Sequence, residues 1–497
     1  MAGTQGYRSI LDHFYCAGPD CHEYFEVKIK DMELYQKNIL IVGIGVSGVS
    51  AARFAKNKGA IVTVTDMAKE DALAAYLPEI REMGIKTELG RHPVEAFEKS
   101  DLIIVSPGVP HTILPIKRAR EKGVPILGEF ELACRYIREP IVAVSGTNGK
   151  TTTTQLLGRM LENSGFEVFV GGNIGNPLID YAAEGKRADI VVAEVSSFQL
   201  DTIDTFRPRI SVLLNISEDH LDRYANFDAY VRSKGRIFEN QTETDTAVIN
   251  GSDPHISTIS RTIRARVLPF YQQGHVDGKH KEYALIKRRN GQHTPGIEIF
   301  TKEDPEGFLD LSKVNLLGRH NMENVAAAAL ATLAAGGRLE SVQSVLNDFK
   351  GLSHRLEFVK IFNGVHFYDD SKGTNIDAVA KALEVFDAPV ILIMGGRDKG
   401  GDYNRLQEPV RRHTKKLIVM GEAGHAIKSA LEDICRGGAQ MASGMEDAVH
   451  SAYLSADSGD IVLLSPGCSS FDMYENYAQR GDAFCRAVEN LTREKRD

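Results

Sequence analysis

The chain has 497 residues, 42% hydrophobic and 25% charged, with a formal net charge of -8. That length suits about three domains. The acidic balance argues against a dedicated nucleic-acid binder, which would carry a basic excess. The six cysteines are scattered, Cys16 and Cys21 being the only close pair. They read as reduced thiols of a cytoplasmic protein rather than a disulfide framework. No stretch approaches the roughly 20 apolar residues of a membrane span, and the N-terminus lacks the apolar core of a signal peptide.

Residues 1–31 are polar and aromatic without a clear period, and no chemical role is assigned to them. Three strand-then-glycine units follow, which predicts an α/β fold of three domains. The first (32–138) opens with a strand at Ile39 to Val42, then Gly43-x-Gly45-x-x-Gly48 and a helix to about Lys58. Strands at Ile61 to Thr65, Leu102 to Val105 and Val124 to Leu127 complete a small doubly wound, Rossmann-like sheet. The second unit (139–352) opens with Ile141 to Val144 and carries strands at Ile190 to Ala193 and Ile210 to Leu214. Both end in polar clusters, at the carboxyl edge where parallel sheets place ligands. The alanine-rich run Val325 to Ala335 reads as a buried helix. The third unit (353–497) holds strands at Val390 to Met394, Leu417 to Met420 and Ile461 to Leu464.

Between the strand ending at Val144 and the next helix lies Ser145-Gly146-Thr147-Asn148-Gly149-Lys150-Thr151-Thr152. Glycines let successive N–H groups turn onto an anion, and the helix N-terminus adds favourable partial charge. Lys150 is placed to reach the β- and γ-phosphates of ATP, and the Thr151 hydroxyl to sit on Mg²⁺. The longer Walker form has glycine where Val144 stands, so this is a shorter variant.

That short Gly-Thr-Asn-Gly-Lys-Thr form resembles the Mur ligase and folylpolyglutamate synthetase superfamily. Further matching stretches are Glu194 to Leu200, Asn215 to Tyr224, His320-Asn321, Ser353 to Glu357, Asp370 to Asn375 and Leu464 to Phe471. Their shared order resembles the Mur ligase family, and within it the branch that adds D-glutamate to UDP-N-acetylmuramoyl-L-alanine. The resemblance implies an ATP-dependent ligase of peptidoglycan synthesis. It would work through an acyl phosphate, as a cytoplasmic monomer acting on small molecules.

Residue by residue, the resemblance implies that Glu194 and His220 bind Mg²⁺ between ATP and the acceptor carboxylate. It implies that Asn173 contacts substrate near the γ-phosphate, and that Asn321 and Asn324 hold the adenine. Asp370 would face the ribose, Arg355 and Lys372 the phosphates. Thr374, Lys399, Ser470, Phe471 and Tyr477 would receive the amino acid, although Arg397 is an alternative anchor to Lys399. Phe471 and Tyr477 could equally be core aromatics. Lys234, on a helix expected after Asn226, matches a carbamylated lysine that joins the metal site. Its amine pKa would have to fall through burial and nearby cations, for which Arg232 and Arg236 are candidates.

Gly43-x-Gly45-x-x-Gly48, with Asp66 eighteen residues on, also looks like a dinucleotide fingerprint. A dehydrogenase using NAD is therefore one alternative, and a nucleotide-switch protein another. In the resembling family the same fold holds UDP. Val46 and Ser47 would meet the diphosphate, while Asp66 and Ser106-Pro107-Gly108 lie near the uracil. The second nucleotide loop at Gly146 favours the ligase, because a dehydrogenase would not require it.

Overall fold

A computed structural model of the chain describes residues 33–185, 187–220, 223–276, 278–288, 295–302, 306–312, 314, 318–349, 351–398 and 400–494. The 1–31 segment and Lys399 lie outside the described residues. Three α/β domains follow in chain order, each built on its own sheet. In spatial order, the first sheet runs Lys86–Leu89, Ile61–Asp66, Asn38–Val42, Leu102–Val105 and Ile126–Gly128, all parallel.

The central sheet is parallel from Val168–Gly172 at one edge through Ile190–Glu194, Ile141–Ser145, Ile210–Leu213, Thr246–Asn250 and Arg266–Gln272 to Tyr283–Arg288. Two antiparallel strands, Pro295–Phe300 and Gly307–Asp310, extend it at the other edge. The third sheet is a hairpin, Glu357–Phe362 with Val365–Asp369, joined to four parallel strands. These are Ile461–Leu464, Val390–Gly395, Thr414–Met420 and Ala439–Met441. Ile141–Ser145 and Val390–Gly395 are buried along their whole length, as strands covered on both faces must be.

Two strands absent from the sequence reading are chemically atypical. Lys86–Leu89 is a half-exposed edge strand of sequence Lys-Thr-Glu-Leu, and Val168–Gly172 ends in two glycines, residues depleted in strands. The alanine-rich run is, as expected, a buried helix, Arg319–Ala334. Among the described residues no helix is long and apolar enough to cross a membrane.

The first two domains are fused by a common interior. One buried apolar cluster runs from Ile41 and Leu132 of the first to Ala143 and Val191 of the second. Glu131, fully buried, accepts the backbone N–H groups of Asp204, Thr205 and Phe206, each at 3.0 Å. The buried clusters of the third domain, by contrast, contain no residue before Leu356.

Gly48 sets how closely the helix Val46–Asn57 sits on the first sheet. A Cβ there would lie 2.0 Å from the Gly43 carbonyl oxygen. Gly48→Ala should therefore force the helix outwards and lower Tm by about 5 °C or more. An unchanged thermal transition would show that the loop and helix relax freely around the added methyl group.

Candidate active site

The loop after Ile141–Ser145 is held open by its neighbours. Gly149 takes a left-handed φ of +87°, and a Cβ there would meet Asn324 Oδ1 at 2.2 Å. Glycine is the residue that satisfies both constraints. Asn215 accepts from the Asn148 N–H at 2.8 Å and donates to the Asn148 carbonyl at 3.0 Å. The Thr147 hydroxyl bonds the Ser217 backbone and the Tyr230 hydroxyl, the latter at 3.1 Å. Lys150 Nζ donates to the carbonyls of Gly146 and Thr147, both at 2.9 Å. Thr151 and Thr152 follow in the first turn of the helix Lys150–Asn163.

A second lysine reaches the same loop from outside. Lys234 lies on the helix Phe227–Gly235, which the Asn226 side chain caps by accepting the Ala229 N–H. It is 1% exposed and donates to the Gly146 carbonyl at 2.7 Å. Burial, and then the charge of Lys150, hold its amine well below the ordinary lysine range. The expected roles of Arg232 and Arg236 are corrected here. Arg232 is exposed, and the Arg236 guanidinium donates to the carbonyls of Leu200, Asp201 and Ile203. The helical period turns them away from the site, and Lys150 is the cation that matters.

Glu194 ends its strand beside Val144. It is 2% exposed; Oε1 accepts from Asn173 Nδ2 at 2.8 Å, while Oε2 is buried with no hydrogen-bond partner among the described residues. A buried carboxylate oxygen without a donor is costly, and a cation would satisfy it. His220 is held in a left-handed conformation (φ 56°) with its ring edge-on to Phe198 at 4.7 Å. Leu221 and Asp222 of its acidic motif lie outside the described residues. The unpartnered Glu194 oxygen and the Thr151 hydroxyl are oxygen donors of the kind Mg²⁺ takes, one or two carboxylates with phosphates and water completing its shell. A separate grouping compact enough for an ion, His354, Glu357 and Asp369, already bonds within itself.

The third domain closes over the loop. Arg355, between the left-handed residues His354 and Leu356, faces Glu194, Asp370 and Tyr477, and burial holds its guanidinium below the ordinary arginine range. Asp370 is buried and accepts from Ser465 Oγ at 2.8 Å. Burial raises its carboxyl to about 7, against the lowering effects of Ser465 and Arg355. A small cavity is lined by Asn148, Gly149 and Thr152 of the loop and by Asn321 and Asn324. From the other side Arg355, Asp370 and Lys372 close it.

Beyond it opens a cleft of about 740 Å³ bounded by His220, Thr374, Ser470, Phe471 and Tyr477. Lys372 borders both spaces, its Nζ 3.6 Å from the Tyr477 ring centre. Phe471 is 62% exposed, so it is not a core aromatic. Arg397 lines the cleft, with Nε 3.5 Å from a Glu422 carboxylate oxygen.

At the first sheet, the Asp66 carboxylate accepts from the Ile44 N–H at 2.7 Å and the Ala68 N–H at 2.8 Å. It thus shapes the glycine loop. Ser106 Oγ donates to the Gly43 carbonyl at 3.1 Å. Val46 stands 58% exposed beside the partly buried Ser47. Arg223 of the central domain donates to the carbonyls of Pro107 and Gly108 at 2.9 and 2.8 Å, fixing that loop across the domain boundary.

Three family profiles match in order. They are the Mur ligase MurD-like N-terminal domain over residues 37–128, the Mur ligase middle domain over 144–332 and the Mur ligase glutamate ligase domain over 354–468. The UDP-N-acetylmuramoylalanine–D-glutamate ligase of Desulfosudis oleivorans is 48% identical over 93% of this chain and 98% of its own length. The chain belongs to the Mur ligase family. The protein of the same name from Desulfatibacillum aliphaticivorans is 49% identical over 93% of this chain and its full length (100%). Among solved structures, the MurF ligase of Thermotoga maritima in complex with ADP gives a TM-score of 0.58 at 17% identity, covering 93% of this chain and 96% of that one. A pseudomurein peptide ligase type C from Methanothermus fervidus gives 0.58 at 20%, covering 92% and 100%. At such identities the likeness establishes the fold.

Sequence reasoning missed one central residue of this Mur ligase. Arg480, 1% exposed, donates to the Ser371 hydroxyl and carbonyl and to the carbonyls of Cys468 and Ser469, at 2.9 to 3.2 Å. It ties the segment carrying Lys372 to the one carrying Ser470. The signal was available: Arg480, Phe484 and Val488 recur every four residues, one face of a helix.

The raised carboxyl of Asp370 gives a signed prediction. Its folded value of about 7 lies above the ordinary aspartate value of 3.8, so between those values the folded state holds a proton that the unfolded chain has released. Stability from this group is therefore lost as pH rises from about 4 to about 7. Asp370→Asn should raise Tm more at pH 8 than at pH 4.5. An equal gain at both values would contradict the assignment.

Proposed function

We propose that this Mur ligase joins D-glutamate to UDP-N-acetylmuramoyl-L-alanine at the expense of ATP, in the cytoplasmic synthesis of peptidoglycan precursors. The observation that carries the reading is the position of Lys372, on the border between the phosphate-loop cavity and the 740 Å³ cleft. A phosphoryl donor on one side and an amine on the other would meet there. The names of the relatives at 48% and 49% identity support the choice of substrates.

In this reading Val46, Ser47, Asp66 and the loop Ser106-Pro107-Gly108 hold the UDP group. Asn321, Asn324 and Asp370 hold the nucleoside of ATP. The loop N–H groups, Lys150 and Arg355 hold its phosphates. The alanyl carboxylate attacks the γ-phosphorus and ADP leaves. The amine of D-glutamate then attacks the acyl carbon, expelling phosphate and losing a proton. Lys372 neutralises charge on the phosphoryl group as it moves from donor to acceptor and then leaves. Asn173 orients Glu194. Thr151, Glu194 and His220 would hold Mg²⁺, which would supply positive charge to offset that of the phosphoryl group and the carboxylate.

A buried ammonium cannot ligate a cation. The neutral amine of Lys234 can add CO₂ and release a proton, giving a carbamate with two oxygens. The depressed basicity and the burial of Lys234 support that modification. Thr374, Ser470 and the cations Arg397 and Lys399 suit an amino acid bearing a second carboxylate, and Phe471 and Tyr477 wall the cleft.

With UDP-N-acetylmuramoyl-L-alanine and MgATP, phosphate release should require D-glutamate and fail with L-alanine or a diamino acid. Release independent of any amino acid would favour a nucleotide switch instead. Lys234→Ala should lose at least about 100-fold in kcat, with partial recovery when small carboxylic acids replace the missing oxygens. Wild-type turnover in that variant would remove Lys234 from the reaction. Lys150→Ala should abolish turnover yet leave affinity for the UDP substrate within about twofold, because the two nucleotides occupy different domains. A parallel loss of both would contradict the two-site assignment.

A further inference from the structure

The third domain grips the phosphate loop through the start of one helix. Asp377, in the first turn of Ile376–Leu383, places Oδ2 2.9 Å from Asn148 Nδ2, 3.1 Å from Ser217 Oγ and 2.9 Å from Lys381 Nζ. Asn375 caps the same helix. Its Nδ2 donates to Asn148 Oδ1 at 3.1 Å and to Asp219 Oδ2 at 3.3 Å.

The side-chain oxygen and nitrogen of Asn148 thus both bond across the domain boundary. Its main-chain N–H and carbonyl are already bonded to Asn215. Every polar group of Asn148 has a protein partner, although it sits in the middle of the phosphate loop. Its side chain is arranged to sense the neighbouring domain rather than to hold an anion.

We propose that Asp377 is a positioning residue that couples the third domain to the state of the phosphate loop by holding Asn148. It lines neither the phosphate-loop cavity nor the cleft beside it. Instead it stabilises the closed arrangement in which Arg355, Asp370 and Lys372 face the loop. The inference rests on the ligase reading, which needs those three side chains beside ATP.

The physical case is the contrast between the two domain boundaries. The first and central domains share a dry core, whereas the buried clusters of the third domain are its own. Closure therefore depends on directional polar bonds, and Asp377 makes the charge-assisted ones at the loop itself. Burial opposes its ionisation, but Lys381, Ser217 and Asn148 outweigh that and keep the carboxyl below its ordinary range. An acid in the first turn also suits the helix dipole. A loop that changed shape on binding or losing ATP would swing the Asn148 amide, and two of its partners lie on the third domain.

The test combines kinetics with small-angle scattering on the full chain. Asp377→Asn keeps the size and removes the charge. It should lower kcat/KM for D-glutamate about tenfold or more and enlarge the ligand-free radius of gyration. Affinity for the UDP substrate should stay within about twofold and Tm should fall by only about 2–4 °C, the loss of one charge-assisted contact, which a general folding defect would exceed. Ser217→Ala, which removes one donor, should shift the same quantities less. In a cycle of Asn148→Ala with Asp377→Ala, the double variant should be no slower than the worse single variant. Multiplicative losses, or wild-type kcat/KM in Asp377→Asn, would overturn the proposal. If the wild-type protein released no phosphate with any amino acid, the ligase reading would fail. The scattering comparison would then decide alone, with equal radii for wild type and Asp377→Asn counting against the coupling.

Discussion

Asn215 grips the backbone of Asn148 from both sides, and most of the site is arranged around the loop shape this pair maintains. A glycine-rich turn has little conformational preference of its own, so its N–H groups converge only if neighbours fix it. Asn215 supplies two bonds from the adjacent strand end, and the Thr147 hydroxyl adds Ser217 and Tyr230. Lys234 reaches the Gly146 carbonyl from the helix Phe227–Gly235, and Asn324 packs against Gly149 where a Cβ would collide. Elements from three separate stretches of chain are thereby registered against one turn.

The electrostatics follow from that convergence. Lys150 and Lys234 both bond the Gly146 carbonyl, and burial first, then the neighbouring charge of Lys150, lowers the affinity of Lys234 for its proton. Across the boundary, Arg355 and Asp370 are desolvated together and each is pushed towards its neutral form. Such a pocket is balanced for a polyanion. Triphosphate would offset the desolvation that burial imposes on Arg355 and give Lys150 an anionic acceptor beyond the two loop carbonyls it already bonds. The unpartnered Oε2 of Glu194 marks the complementary place for positive charge.

Much of this was legible in the chain. Uninterrupted apolar runs such as Ile141 to Val144 announce strands buried on both faces, and Gly-Lys-Thr after such a strand announces a phosphate loop. The Asn226 cap ahead of the Lys234 helix was equally readable, since its side chain accepts an N–H three residues on. What escaped depends on contacts distant in sequence. Asp377 and Arg223 look like ordinary surface charges until the fold sets Asp377 against Asn148 and Arg223 against Pro107; for Arg480 the helix period gave its buried face but not its partners on Cys468 and Ser371. Arg232 and Arg236 misled for the same reason: proximity in sequence to Lys234 is not proximity on a helix. The polar edge strand Lys86–Leu89 was invisible because its neighbours, not its own residues, make it a strand.

The proposed chemistry activates a carboxylate by phosphoryl transfer where the central and third domains meet. The most direct measurement follows oxygen through the reaction. UDP-N-acetylmuramoyl-L-alanine labelled with ¹⁸O in its alanyl carboxylate would be turned over with MgATP and D-glutamate, and the released phosphate examined by ³¹P NMR. Attack of the carboxylate on the γ-phosphorus leaves a carboxylate oxygen bridging carbon and phosphorus, and the amine then expels it with the phosphate. The account predicts one ¹⁸O in each phosphate formed per amide made; phosphate without label, released alongside product, would contradict it.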